Sequence, residues 1–152
     1  MAGELVVGYD GSECAQLAVR TAAELALGLG TGMIVAFCAE PPQASAGGAG
    51  DQRRLLEERG AELLDEAAAL VADTGVTVHT IVIDNKPAPG LVALAEQQDA
   101  RFIVVGTYSE RPLAAALVGS TPHKLLHLSN HPVLVVPVPD PDHHADGEPD
   151  DD

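Results

Sequence analysis

The stretch Phe102–Lys124, FIVVGTYSERPLAAALVGSTPHK, decides the fold. Phe102-Ile103-Val104-Val105 is an apolar run that ends at Gly106, the pattern of a parallel strand buried on both faces and stopping where the backbone turns. Thirteen residues beyond Gly106 begins Gly119-Ser120-Thr121-Pro122. Ser and Thr cap helices and Pro suits a first helical turn, so a helix N-terminus is predicted beside the carboxyl end of a strand. Unpaired amides and the positive end of a helix dipole meet at such a place, which makes it the expected anion site of the chain.

Outward from this stretch, strand and helix signals alternate. Glu4–Tyr9 reads as a strand, and Asp10-Gly11-Ser12-Glu13 as a turn that opens a helix over 13–28. There Ala15, Ala18, Val19, Ala22, Leu25 and Ala26 form a stripe of little bulk, suited to close packing on a sheet. Gly28, Gly30 and Gly32 end that helix, and Met33–Cys38 is a second buried strand. Glu40–Gly50, EPPQASAGGAG, has no periodicity and reads as a mobile loop able to act as a lid. A long helix over 51–73 turns Leu56, Gly60, Leu63, Leu64, Ala67, Leu70 and Val71 to one side. A third strand at Val76–Ile83, a short helix at Pro89–Glu96, the strand at Phe102–Val105, a helix at Thr121–Leu128 and a last strand at Val133–Val136 follow. In the fourth helix Leu125, Leu126 and Leu128 are expected to point inward. The order β-α-β-α-β-α-β-α-β with right-handed crossovers gives an α/β fold, a doubly wound five-stranded parallel sheet with helices on both faces, Rossmann-like in kind. Ligands of such sheets bind beyond the carboxyl ends of the strands, where strand order reverses.

Composition sets the bounds. A chain of 152 residues, 46% of them hydrophobic, buries one sizeable core, and 3% aromatics with abundant Ala, Val and Leu suit helices on a parallel sheet. The formal net charge of −15 argues against nucleic acid and anionic membranes as partners. Residues 140–152 hold seven of the 23 acids and no Lys or Arg, so that 1–139 carry 16 acids against 8 basic residues. One domain over 1–139 and a disordered acidic tail over 140–152 are expected. Without a bilayer-length apolar run or a signal-type N-terminus, a soluble, cytoplasmic protein is expected. Cys14 and Cys38 lack metal spacing and are read as reduced packing residues.

Asp10-Gly11-Ser12 after the first strand, Val104-Val105-Gly106-x2-Ser109-x9-Gly119-Ser120-Thr121, and the ending His131-Pro132-Val133-Leu134-Val135-Val136-Pro137 together resemble a single universal stress protein domain, over about residues 3–139. The resemblance implies an adenine nucleotide alpha hydrolase-like fold and a regulatory protein of the stress response that binds ATP or AMP. In the nucleotide-binding branch of that family the motif is G-x2-G-x9-G-[S/T], whose glycines and Ser/Thr cradle phosphates. The spacing here fits at every step, with Ser109 in place of the middle glycine. Serine tolerates a positive φ less well than glycine, although its hydroxyl can donate to a phosphate. Arg111 can reach a phosphate, whereas Glu110 opposes one. By the same resemblance Gly106, Gly119, Ser120 and Thr121 belong to the phosphate site, and Asp10 lies near the ribose or a nucleotide-bound Mg²⁺. Ala36 and Phe37 would offer backbone groups to the adenine. As plain structure, Asp10 is a cap for the first helix and Ala36-Phe37 a core strand. The family also implies a homodimer through the last strand, and Val133–Val136 is an apolar edge that invites such pairing, limited by Pro137 and Pro139.

His123, His127 and His131 recur every four residues, a spacing shared by zinc-binding helices and by solvated surface histidines, and no Cys or carboxylate completes a ligand pattern. Ser12 is not in a nucleophile-elbow motif. Three functions stay open: a nucleotide-binding regulator with at most slow hydrolysis, a dimeric interaction protein of the same fold without nucleotide, acting on an unknown protein partner, and an adenine-nucleotide hydrolase or transferase. Only the last needs a positioned base, and Asp10 is its sole candidate.

Overall fold

Consecutive apolar residues cannot all hide on one face of a strand, so runs such as Leu5-Val6-Val7 and Ile103-Val104-Val105 require cover on both sides. A computed structural model, which describes residues 3–40, 48–107 and 120–139, has that arrangement. Strands β1 (Leu5–Gly8), β2 (Met33–Cys38), β3 (Val78–Ile83), β4 (Ile103–Gly106) and β5 (Val133–Val136) form one sheet in the order β3-β2-β1-β4-β5. All pairs are parallel, with Val6 beside Ile34 and Ile103, and Val104 beside Leu134. Helices α1 (Glu13–Leu29) and α2 (Ala49–Leu70) cover one face, α3 (Pro87–Gln98) and α4 (Ser120–Leu128) the other. Alternate strand residues feed two cores. Leu5, Val7, Val35, Phe37 and Val104 join the α1–α2 side, while Val6, Ile34, Ala36, Ile103 and Val105 join Leu91, Leu94 and Leu125.

The helices begin where local chemistry allows. Ser12 is the N-cap of α1, its Oγ accepting from the Ala15 N–H at 3.2 Å, an arrangement that contributes about 1 kcal/mol. Gly30, at φ 69°, ends α1 in the left-handed conformation glycine tolerates. The apolar stripe of α1 is buried as expected except at Leu25, which is half-buried. α2 begins two residues before its expected start and gives way to a 3-10 turn at Ala72–Thr74. α3 begins at Pro87 rather than Pro89, because both prolines fit the first turn.

Two expectations about α4 fail. Leu125 is fully buried, but Leu126 is 64% and Leu128 50% exposed. A helix of nine residues resting on β5 and α3 has only a narrow stripe covered, here Pro122 and Leu125, which lie three apart. Among the described residues no helix is long and apolar enough to cross a membrane.

Candidate functional site

Strand order runs outward from β1 through β2 to β3 and from β4 to β5, so it reverses between β1 and β4. A cavity of about 390 Å³ opens there, within the range of small-molecule sites. The ends of three strands form its floor: Gly8, Tyr9 and Asp10 at the end of β1, Ala36 to Cys38 on β2, and Val105 to Thr107 at the end of β4. Its walls include Ser12 and Ala15 of the α1 entrance, Lys86 to Pro89 at the start of α3, and Ser120, Thr121, Pro122 and Lys124 of α4.

Six of the residues singled out in the sequence therefore meet in one hollow: Asp10, Ala36, Phe37, Gly106, Ser120 and Thr121. Ser109, Arg111 and Gly119 lie outside the described residues, as do the expected lid over residues 41–47 and the tail over 140–152. Asp10 is exposed, and its Oδ1 accepts from the Ser12 N–H at 3.0 Å. It thus braces the turn while Ser12 does the capping, so the carboxylate supports the α1 start from two positions before the cap. Its other oxygen has no partner among the described residues.

The backbone at the strand ends is more committed than the sequence suggests. The Ala36 carbonyl accepts from the Tyr9 N–H at 2.9 Å, and the Thr107 N–H donates to the Val136 carbonyl at 3.2 Å. The Thr107 amide is consequently engaged within the sheet and not presented to the cavity. Gly106 has a steric role: a Cβ there would lie 2.6 Å from Cys14 Cβ and 2.8 Å from the Cys14 carbonyl oxygen. Its lack of a side chain lets the first turn of α1 lie against β4, close to the cavity. Phe37 likewise packs its ring on Gly60 of α2, where an added Cβ would come within 2.4 Å of Cδ1.

Sequence reasoning missed Lys86 and Lys124. They are the only lysines of the chain and both line the cavity. Lys86 is the N-cap position of α3 and Lys124 lies in α4, and these two helices pack on each other. The carboxylates of the lining are Asp10 and Glu40.

Cys38 also lines the cavity. Its Sγ sits 3.9 Å from the Pro87 carbonyl oxygen, and burial pushes the thiol up from 9.0 to about 11. A raised folded pKa favours the native state fully below pH 9, and this contribution is lost as pH rises through 11. At pH 8 the thiolate fraction falls by ~100-fold, so alkylation by iodoacetamide is expected to be that much slower in the native protein than in denaturant. Equal rates in the two states, followed by mass spectrometry of the Cys38 peptide, would contradict this.

The histidines do not gather. The rings of His123 and His127 meet edge to face at 4.9 Å on exposed positions, while His131 Nε2 faces Asp99 at 3.6 Å. Among the described residues no group of three metal-ligating side chains is present.

With this geometry in hand, comparison with known proteins is direct. The description of the universal stress protein family matches residues 1–137. A universal stress protein of Methanocaldococcus jannaschii is 35% identical over 85 residues, which are 56% of this chain and 50% of that protein. The chain thus spans about half the length of that relative. A solved universal stress protein in complex with cAMP superimposes with a TM-score of 0.70 at 27% identity, over 90% of this chain and 98% of that one. The universal stress protein of Archaeoglobus fulgidus in complex with dAMP gives 0.66 at 21% identity, over 88% and 97%.

Proposed function

Because the chain belongs to the universal stress protein family, we propose that it is an adenine-nucleotide-binding regulatory protein of the stress response. ATP or AMP would occupy the cavity at the strand-order reversal, and occupancy would bias the conformation or partners of the domain. The observation that carries this reading is the convergence of Asp10, Ala36, Phe37, Gly106, Ser120 and Thr121, from four separate elements, on one hollow of nucleotide-compatible size. That two solved relatives of the same fold are complexes with cAMP and dAMP favours an adenine ligand.

In this reading the base lies over the end of β2 at Ala36 and Phe37. Asp10 accepts from ribose hydroxyls, or holds Mg²⁺ through the carboxylate oxygen not used by Ser12. Phosphates meet the start of α4, where Ser120 and Thr121 supply hydroxyls and the helix dipole supplies positive potential. Gly106 permits the close seat of α1. Ser109, Arg111 and Gly119 complete the phosphate loop by motif. Mg²⁺, when bound with a nucleotide, would neutralise phosphate charge. Hydrolysis, if any, is slow. Residues 1–139 act as the domain and 140–152 as an acidic tail.

Gentle purification followed by mass spectrometry of released small molecules tests the reading. Adenine nucleotide at near-stoichiometric amount is expected, and calorimetry on stripped protein should then show one saturable site. Empty protein that also gives no heat with millimolar ATP or AMP would overturn it.

The second reading, a dimeric interaction protein, draws on β5. It is an edge of the sheet, its Val133, Leu134 and Val135 are only half-buried, and Leu126 and Leu128 of α4 are exposed. Such an edge pairs readily with a second copy. Light scattering at micromolar concentration should give twice the chain mass. A monomeric mass that persists after removal of residues 140–152 would count against pairing.

A further inference from the structure

We infer that Lys86 and Lys124 form a cationic wall by which the cavity selects adenine nucleotides bearing several phosphates over cyclic or single-phosphate ones. This rests on the nucleotide reading above and names the ligand class it would take.

Distribution is the first argument. A chain of net charge −15 repels polyanions as a whole, so a site for one needs local positive charge. Both lysines of the chain stand on the cavity, brought there from elements 38 residues apart by the packing of α3 on α4. Neither is neutralised by a carboxylate among the described residues, whereas Arg53, Arg54 and Arg59 are tied to Asp84, Asp51 and Glu62. Arg20 and Arg101 are likewise without an ion pair among the described residues but do not line the cavity, so the two lysines are its unpaired cations there.

The second argument is donor supply. The start of α3 would ordinarily offer several unpaired amides to an anion. Here Pro87 and Pro89 have no N–H, and the Lys86 N–H donates to Asn85 Oδ1 at 2.8 Å. Pro122 removes a further amide from the first turn of α4. Backbone capture of phosphate is thinned on both helices, and the side chains that replace it are the two lysines. An ammonium on a flexible stem is a strongly hydrated point charge with three donors, suited to phosphate oxygens of varied position.

The third argument is polarity across the hollow. Asp10 and Glu40 come from the ends of β1 and β2, while the lysines come from α3 and α4. A ligand with hydroxyls at one end and several anionic groups at the other is oriented by that division. A cyclic monophosphate, with a single negative charge, gains little from it.

Calorimetry in EDTA at fixed low salt, with ATP, AMP and cAMP on the full chain and on Lys86→Met and Lys124→Met, tests the inference. Methionine retains the stem and removes the charge, and thermal melts report folding. Each substitution should weaken ATP by ~5–10-fold and cAMP by less than ~2-fold, in line with one screened charge-assisted contact. Added salt should narrow the preference for ATP. Variants that bind ATP like the parent, or that lose ATP and cAMP equally, overturn the inference and leave the nucleotide reading standing. A parent chain that prefers cAMP to ATP does the same. A parent that binds no adenine nucleotide overturns both.

Discussion

Thr121→Glu should abolish nucleotide binding while the protein stays folded. Thr121 lines the cavity in the first turn of α4, so a carboxylate there stands where phosphate is expected. Two like charges about 4 Å apart in a partly shielded site cost about 4 kcal/mol, or roughly three orders of magnitude in affinity. The same carboxylate suits the positive end of the helix and stabilises it by ~0.3–1 kcal/mol. The two effects have opposite signs, which makes the variant informative: calorimetry should lose the ATP signal, and the melting temperature should hold or rise. Unchanged ATP affinity in a folded variant would place the phosphates elsewhere.

Gly106→Ala should be among the most destabilising single-methyl additions in the chain. The new Cβ meets the Cys14 Cβ, carbonyl carbon and carbonyl oxygen between 2.6 and 2.8 Å, and two of those three are backbone atoms that no rotamer change can move. α1 must retreat from β4, at an expected loss of about 3 kcal/mol and a fall in melting temperature of roughly 6–12 °C. Gly28→Ala is the matched control. It too adds one methyl, but nothing lies within 4 Å of it, so the better helix former should gain about 0.5–1 kcal/mol. Chemical denaturation of the pair decides the matter, and a Gly106→Ala protein as stable as the parent would mean that α1 sits less tightly on the sheet than described.

How far the sequence carries depends on the range of the signal. Met33–Cys38 is bounded as its apolar run indicates, because a strand covered on both sides leaves an unbroken signature. The start of α1 is legible from Ser12, whose capping chemistry is local. The inward leucines of α4 were overcounted, since a run of apolar residues does not say how wide a stripe the neighbours will cover. Ser120 and Thr121 were singled out by a motif with fixed spacing, and Asp10 by a resemblance at the end of the first strand. Lys86 and Lys124 had no such signature: a net charge spread over the whole chain hides two cations, and only the packing of α3 against α4 puts them at the same hollow. The engagement of the Thr107 amide was illegible for the same reason, because its acceptor, Val136, belongs to a strand 29 residues further on.

The place of β1 in the sheet bears on how the protein is made. Its partner on one side, β2, follows within 25 residues, but on the other side Val6 waits for Ile103. A ribosome releases the chain from the amino end, so until β4 has been made this apolar strand has one flank bare and the hollow lacks half its rim. On the proposed reading, nucleotide engages only a chain already made through α4, and chains cut short before α4 would be blind to the ligand and prone to stick through the uncovered flank.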